Sequence, residues 1–179
     1  MRLLPLLIVA ALAACSETQY FAPPPSQSDL RVNVRPNTIQ VNEVSIPEYA
    51  VNQEIPIQQA DGSLVTDTSR LWADLPDRAL QGSLTRHLNV ITDAQVAAEP
   101  WPLSGFPEVE VSVFVEDMIV QSGGTLRFTG TYALGRETAR GEIEPFAITA
   151  PVAGTSYVAI ISAHELAWMR LAEQIAEDL

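Results

Sequence analysis

VEVSVFVEDMIVQSGGTLRFTGTY, residues 109–132, is the stretch that decides the fold. Valine occupies every second position of its first seven residues, which is the period of a strand with one buried face. Gly123 and Gly124 predict a turn, and residues 126–132 return with the same alternation of apolar and polar side chains. Residues 140–150 predict a third strand. Together the three segments predict an antiparallel meander.

Two amphipathic helices are predicted outside this meander. Thr155 or Ser156 is a suitable N-cap for a long C-terminal helix. Its apolar stripe is spaced alternately by four and three residues and consists of Tyr157, Ile161, His164, Trp168, Leu171, Ile175 and Leu179. Residues 72–91 predict an earlier helix, which Asp74 or Asp77 would cap.

Shorter strands are predicted in the N-terminal half of the chain. Residues 30–34 and 39–46 alternate apolar with polar side chains, and residues 95–98 predict a short strand. Asp61-Gly62 predicts a hairpin turn between two further apolar segments. The order of these elements predicts an α+β fold, with a mostly antiparallel sheet and two helices packed on one of its faces.

The first fourteen residues have the pattern of a signal peptide. Arg2 supplies one positive charge, and an uncharged, mainly apolar run follows up to Ala14. This run is too short to span a bilayer as a helix, and it fits the apolar region of a signal, which has roughly 7–15 residues. Residues 12–15, Leu-Ala-Ala-Cys, resemble a lipobox. We therefore expect signal cleavage between Ala14 and Cys15 and a lipid, with acyl chains such as palmitate, on Cys15.

The alternative is an ordinary secretory signal whose cleavage site happens to lie near a cysteine. Cys15 is the only cysteine of the chain. It therefore has no partner for an internal disulfide, and an unpaired thiol is a liability in an oxidising compartment. This favours the lipoprotein interpretation.

The expected organisation of the chain follows from that interpretation. We expect residues 1–14 to be removed as signal peptide, residues 15–29 to form a lipidated tether, and residues 30–179 to form a single domain. Ser16 follows the cysteine, in place of the aspartate that commonly retains lipoproteins at the inner membrane. We therefore expect the periplasmic face of the outer membrane as the location.

The charge of the chain excludes one class of partner. The net charge is −12 and becomes −13 when Arg2 leaves with the signal, and all ten basic residues are arginine. A nucleic-acid-binding protein needs a basic patch, so nucleic acid is not an expected partner. Membrane attachment through a polybasic face is equally disfavoured, and the lipid on Cys15 is the expected anchor.

Four short motifs follow the lipobox in order, and an alanine-rich amphipathic helix closes the chain. The motifs are Tyr20-Phe21, Val44-Ser45-Ile46-Pro47-Glu48-Tyr49, Arg70-Leu71-Trp72-Ala73-Asp74 and Pro100-Trp101-Pro102. In this order they resemble the PqiC-type family, the ABC-type transport auxiliary lipoproteins. The chain departs from the family pattern at Ala22, where a leucine is usual, and at residues 50–53, where Leu-Asp-Arg-Pro is usual.

The resemblance implies a role in transport between the two membranes of the envelope. Such lipoproteins accompany an ABC-type transporter and a periplasm-spanning MCE-domain protein in a system thought to move lipids. The resemblance implies a docking or auxiliary component at the outer membrane, with the MCE-domain protein as partner. A single mature chain of about 165 residues cannot by itself cap a tunnel wide enough for lipid, so a docking role favours self-association as a homo-oligomer. The alternative is a periplasmic carrier lipoprotein with its own apolar cavity for lipid.

The sequence carries no pattern of catalytic, cofactor-binding or metal-binding residues. His164-Glu165 begins like the helix of a zinc protease, but Trp168 stands where the second histidine would be required. His87 has no second histidine or cysteine nearby, and one imidazole does not make a metal site. We therefore expect a protein that is not an enzyme and needs no cofactor.

A few other residues have both a functional and a structural interpretation. Trp72, Trp101 and Trp168 could line a ligand pocket, but core packing is favoured, with Trp101 between two prolines as the exception. Arg70, Arg78 and Arg86 lie eight residues apart and could form a basic spiral for a partner or simply offset nearby acids. Glu142 and Glu144 are expected to form the solvated face of a strand.

Overall fold

The computed structural model describes residues 17–136 and 140–179. Two helices lie within this part of the chain, α1 (Pro76–Ile91) and α2 (Tyr157–Asp178), together with one 3-10 turn, Glu48–Ala50. The strands are β1 (Gln19–Phe21), β2 (Thr38–Val41), β3 (Ile57–Gln58), β4 (Leu64–Val65), β5 (Arg70–Trp72), β6 (Gln95–Ala98), β7 (Val109–Gln121), β8 (Thr125–Arg136) and β9 (Glu142–Pro151).

The meander predicted from residues 109–132 and 140–150 is confirmed. β7 pairs antiparallel with β8, and β8 pairs antiparallel with β9. Gly124 adopts a φ of 77°, which glycine accepts without strain in the turn between β7 and β8. Alternate side chains of all three strands are buried, so one face of the meander belongs to the core and the other faces outwards.

The sheet as a whole is mixed, and the expected mostly antiparallel sheet is not confirmed. β2 lies between β6 and β7 and runs parallel to both, while β3 runs parallel to the last residues of β7. β1 and β5 form a separate parallel pair. Four of the seven pairings between described strands are thus parallel. Alternation reveals a strand but not its direction, and these parallel pairings join segments that are distant in sequence.

Two predicted elements have different bounds in the structure. α1 begins at Pro76 rather than at residue 72, because Trp72 belongs to β5 and proline favours the first position of a helix. Neither Asp74 nor Asp77 caps it, since Leu75 is the N-cap. Residues 30–34 are not a strand and make only a single bridge between Val32 and Thr92.

Residues 39–46 form a strand only in their first part, β2 (Thr38–Val41), and Ser45 beyond it makes a single isolated bridge with Phe114. The C-terminal helix, the hairpin and the strand at residues 95–98 are confirmed. Ser156 caps α2, its hydroxyl accepting a hydrogen bond from the Ala159 amide. The hairpin at Asp61-Gly62 joins β3 and β4, and residues 95–98 form β6. α1 and α2 pack against each other and enclose the core with the buried face of the sheet. The fold is therefore α+β, as expected.

Gly130 in β8 has no room for a larger side chain, which leads to a first prediction. An added Cβ would lie 2.1 Å from the carbonyl oxygen of Phe114, next to the irregularity that the register shows between Val115 and Asp117. We expect Gly130→Ala to lower the free energy of unfolding by about 2 kcal/mol, because backbone atoms must move to relieve the clash. Urea denaturation followed by circular dichroism measures the loss.

Gly135→Ala in the same strand is the matched control. An added Cβ there would meet its nearest neighbours at ordinary contact distance, 3.6 Å and beyond. We expect this variant to change stability by less than about 0.5 kcal/mol. Equal losses for the two variants would show that the close approach at Gly130 does not constrain the fold.

Candidate functional site

The predicted lipidation and cleavage residues, Cys15 and Ala14, lie outside the described residues, as does the whole predicted signal peptide. The first described residue is Glu17, and β1 begins at Gln19, four residues after Cys15. The features that bear on function within the described residues are therefore the contacts between the domain and the segment that follows Cys15, and the exposed surfaces of the domain.

The segment from Gln19 to Ser28, which we call the strap, lies against the domain. β1 pairs with β5, and the Ala73 amide donates a 2.8 Å hydrogen bond to the Phe21 carbonyl. The Phe21 ring stacks on Tyr157 at the start of α2, with ring centroids 5.7 Å apart. This part of the chain was expected to be a tether. Its contacts show that the described portion from residue 19 onwards packs on the folded body.

A buried carboxylate fastens the middle of the strap to both helices. Glu165 of α2 is almost completely buried and accepts hydrogen bonds from Ser83 of α1 at 2.9 Å and from Ser26 of the strap at 3.1 Å. The Nε2 atom of buried His87 lies 3.0 Å from the same carboxylate. We call Ser26, Ser83, His87 and Glu165 the polar clamp.

The charge state of the polar clamp follows from these contacts. Burial raises the pKa of Glu165, but the hydrogen bonds from His87 and Ser83, together with the charge of Arg86, lower it more. The net result is a pKa below the usual value, so Glu165 is a carboxylate at neutral pH. The side chain of Arg86 is exposed, and its guanidinium lies 3.6 Å from the buried carboxylate of Glu165.

The polar clamp contains a serine, a histidine and an acid, but it does not have the geometry of a hydrolase triad. In a triad the acid orients one imidazole nitrogen and the serine contacts the other. Here Glu165 and Ser26 both approach Nε2 of His87, at 3.0 and 3.4 Å. This arrangement fastens the strap and cannot pass a proton from Ser26 through the ring to Glu165. Within residues 17–136 and 140–179, no group of three or more potential metal ligands is placed to hold an ion.

Two of the three tryptophans are core residues, as favoured from the sequence. Trp72 and Trp168 are buried and stack on each other with centroids 5.5 Å apart. His164 packs edge-on against Trp72, and burial lowers its pKa to about 4, so its ring is neutral at neutral pH. Trp101 is half-buried, which leaves its interpretation open.

The three arginines do not form one basic surface. Arg70 belongs to β5 rather than to the helix and contacts Ser69. Arg78 pairs with Asp74 one turn away, at 3.8 Å, and Arg86 pairs with Glu165. Their contacts favour the interpretation that they offset nearby acids and hydroxyl dipoles.

The outward face of the meander is uncharged at its centre. Two neighbouring rows of paired residues cross β7, β8 and β9 there, and we call them the outer sheet face: Ser112, Ala133 and Ile143 in one row, and Phe114, Thr131 and Pro145 in the other. Phe114 is 50% exposed and Ile143 72% exposed. Contiguous exposed apolar surface is rare on monomeric proteins and often marks an interaction site, so this face is a candidate interface.

Charged residues border the outer sheet face without entering it. Glu110 lies in the next row towards one end of β7. Towards the other end, Asp117 accepts a 2.7 Å hydrogen bond from the Arg127 guanidinium. Glu142 and Glu144 are exposed, as expected, and Glu142 pairs with Arg136 at 3.2 Å. Depletion of charge at the centre, with charged residues at the rim, is the usual organisation of a protein interface.

A cleft of about 830 Å³ opens near the C-terminal end of α2. Its lining carries seven charged side chains: Arg35, Glu108, Arg136, Arg140, Glu142, Glu177 and Asp178. Acyl chains require a predominantly apolar lining, so this cleft is poorly suited to them. No helix among the described residues is long and apolar enough to cross a membrane.

Comparison with known proteins identifies the family. The sequence profile of the ABC-type transport auxiliary lipoprotein component family matches residues 20–176. The chain belongs to this family. No curated protein matches the chain.

Solved structures share the fold at low sequence identity. A crystal structure of an uncharacterised protein superposes with a TM-score of 0.74 at 19% identity, covering 90% of this chain and 98% of that one. Protein XCC0632 from Xanthomonas campestris, of the DUF330 family, superposes with a TM-score of 0.65 at 18% identity, covering 88% and 92%. Both show that this fold occurs in other proteins of low sequence identity.

The structure brings together two of the motifs that carry the family resemblance. The paired aromatics Tyr20-Phe21 and the Arg70-to-Asp74 motif form the two strands of the β1–β5 pair. In a third motif, the Tyr49 hydroxyl donates a 2.8 Å hydrogen bond to Asp117. In this auxiliary lipoprotein these motifs therefore fasten the strap, and the segment that contains Tyr49, to the domain.

Proposed function

We propose that this auxiliary lipoprotein is a non-catalytic docking component of an MCE/ABC-type intermembrane lipid transport system. Lipid on Cys15 anchors it to the periplasmic face of the outer membrane, and the domain binds the periplasm-spanning MCE-domain protein. The membership of the chain in the transport auxiliary family supports the transport role. The single structural observation that supports docking is the uncharged outer sheet face in a chain of net charge −12.

Charge is the reason that this face is the best docking surface. An acidic domain resists contact with other acidic surfaces, so association requires a patch from which charge is absent. Phe114 and Ile143 provide exposed apolar area at the centre of such a patch. The same argument holds for contact between copies of the lipoprotein. The outer sheet face therefore either binds the MCE-domain partner directly or joins the copies of a homo-oligomer, which presents a larger surface to that partner.

Placing a charge on the outer sheet face tests this function. We expect the double substitution Phe114→Glu and Ile143→Glu to weaken binding to the purified periplasmic part of the MCE-domain protein from the same bacterium by at least tenfold. Two carboxylates would have to lose their hydration within the interface. Surface plasmon resonance measures the dissociation constant, and analytical ultracentrifugation measures the mass of the unbound lipoprotein.

Val90→Glu is the matched control for the added charge. Val90 is 42% exposed and lies on α1, on the opposite side of the sheet from the outer sheet face. We expect this variant to bind like the unmodified protein. No binding by the unmodified protein at tens of micromolar, combined with a strictly monomeric mass, would refute the docking function. Unchanged binding by the double variant would refute the choice of surface alone.

A further inference from the structure

The strap runs in one direction along the two helices, from their N-terminal ends towards their C-terminal ends. Phe21 contacts Tyr157 in the first turn of α2, Ser26 contacts Glu165, and Ser28 donates a hydrogen bond to Glu173. Val32 then pairs with Thr92, immediately after the end of α1. The domain therefore has one end at which the strap and α2 begin, and an opposite end at which α2 terminates.

The short chain between Cys15 and β1 fixes which end is near the anchor. Three residues lie between Cys15 and Gln19, which makes four steps along the chain, and a fully extended chain spans at most about 3.6 Å per step, or roughly 14 Å in all. The polar clamp and the β1–β5 pair prevent the strap from contributing further length, because residues 19–28 are fastened to the domain. The start of α2 can therefore move only a short distance from the membrane.

Two exposed apolar side chains lie at this end. Tyr20 of β1 is 61% exposed and Val158 in the first turn of α2 is 60% exposed, and each is the sequence neighbour of one of the two stacked rings, Phe21 and Tyr157. Tyrosine is enriched at membrane interfaces because its ring is apolar while its hydroxyl remains hydrated. We define this end, with Tyr20 and Val158, as the anchor end of the domain.

We propose that the anchor end rests on the bilayer surface, with Tyr20 and Val158 in the headgroup region and α2 directed away from the membrane. The occupant of this surface is thus the leaflet that holds the lipid of Cys15, and the inference rests on the lipid anchor that the proposed function assumes. α2 has 22 residues and spans about 33 Å. Its C-terminal end is held far from the lipid.

This orientation gives the outer sheet face a direction. The Thr149 carbonyl accepts a hydrogen bond from Arg170 and the Pro145 carbonyl from Gln174, so β9 runs antiparallel to α2. Arg136 at the end of β8 reaches the carbonyl of Asp178 at the end of α2. Ile143 therefore lies at the end away from the membrane, where a periplasm-spanning partner can reach it.

A fluorescent probe at each end of α2 tests the orientation. The lipidated protein is reconstituted in phosphatidylethanolamine–phosphatidylglycerol vesicles, and Val158→Cys or Glu177→Cys supplies the single free thiol for a nitrobenzoxadiazole label. Glu177 is exposed and lies 19 residues further along α2, about 29 Å from Val158 along the helix axis. We expect headgroup-level spin-labelled lipid to quench the probe at position 158 at least threefold more than the probe at position 177.

Equal quenching at the two positions, or stronger quenching at position 177, would overturn the proposed orientation. Mass spectrometry of the vesicle-bound protein reports separately whether Cys15 carries lipid. If Cys15 carries no lipid, the proposed anchor fails. The two labelled variants are then made with a hexahistidine segment directly before Glu17, and this segment holds them on vesicles that contain nickel-chelating lipid. The threefold contrast on those vesicles supports the orientation independently of lipidation, and its absence there overturns the orientation.

Discussion

Glu165→Ala is expected to lower the free energy of unfolding by about 3–5 kcal/mol. Ser83 and His87 are buried and donate to this carboxylate, and both would lose their acceptor. Ser26 would lose the contact that holds the strap between the helices. Urea denaturation of the mature chain carrying Cys15→Ser measures the change without interference from lipid.

Two further substitutions separate the causes of this loss. Glu165→Gln keeps the side-chain volume but replaces one acceptor oxygen with an amino group that faces donors, so we expect a smaller loss, of about 2 kcal/mol. Glu177→Ala removes an exposed carboxylate from the same helix and is expected to change stability by less than about 0.5 kcal/mol. A loss at Glu165 no greater than the loss at Glu177 would contradict a stabilising role for the polar clamp.

The elements that could be predicted from the sequence are those whose pattern is local. The valine alternation before Gly123-Gly124 and the apolar stripe from Ile161 onwards each fit one period, and both segments fold as expected. The β1–β5 and β2–β6 pairings could not be predicted, because they join segments about 50 residues apart in which only three or four residues pair. Strand direction in such pairs is set by tertiary packing, which alternation does not record.

The polar clamp was missed for the same reason. Ser26 and Glu165 are 139 residues apart, and the resemblance of His164-Glu165 to the start of a zinc-protease helix gives no indication of a contact with Ser26. One signal was present: Ser83 and His87 lie four residues apart on the same stripe of α1 as Leu80, Leu84 and Leu88. Two polar side chains at that spacing on a buried stripe require a buried partner, so they could have indicated a polar cluster between the helices.

The predicted lipid-anchor residue Cys15 lies outside the described residues, so its role is tested through localisation. We expect Cys15→Ser to transfer the protein almost completely from the membrane fraction to the soluble periplasmic fraction. Each buried methylene of an acyl chain contributes about 0.8 kcal/mol to membrane attachment, so loss of several chains removes far more free energy than Tyr20 and Val158 could supply. Fractionation followed by mass spectrometry of the N-terminal peptide measures both the location and the lipid.

Ser16→Asp is the control that separates attachment from destination. It leaves the Cys15 thiol in place, so the protein should remain lipidated and in the membrane fraction. Aspartate directly after the lipidated cysteine commonly retains lipoproteins at the inner membrane, so we expect this variant to move from the outer to the inner membrane on a density gradient. Persistence of the Cys15→Ser variant in membranes without added lipid mass would refute the anchor. An inner-membrane location of the unmodified protein would refute the proposed destination, and would require docking to the MCE-domain protein from the opposite side of the periplasm.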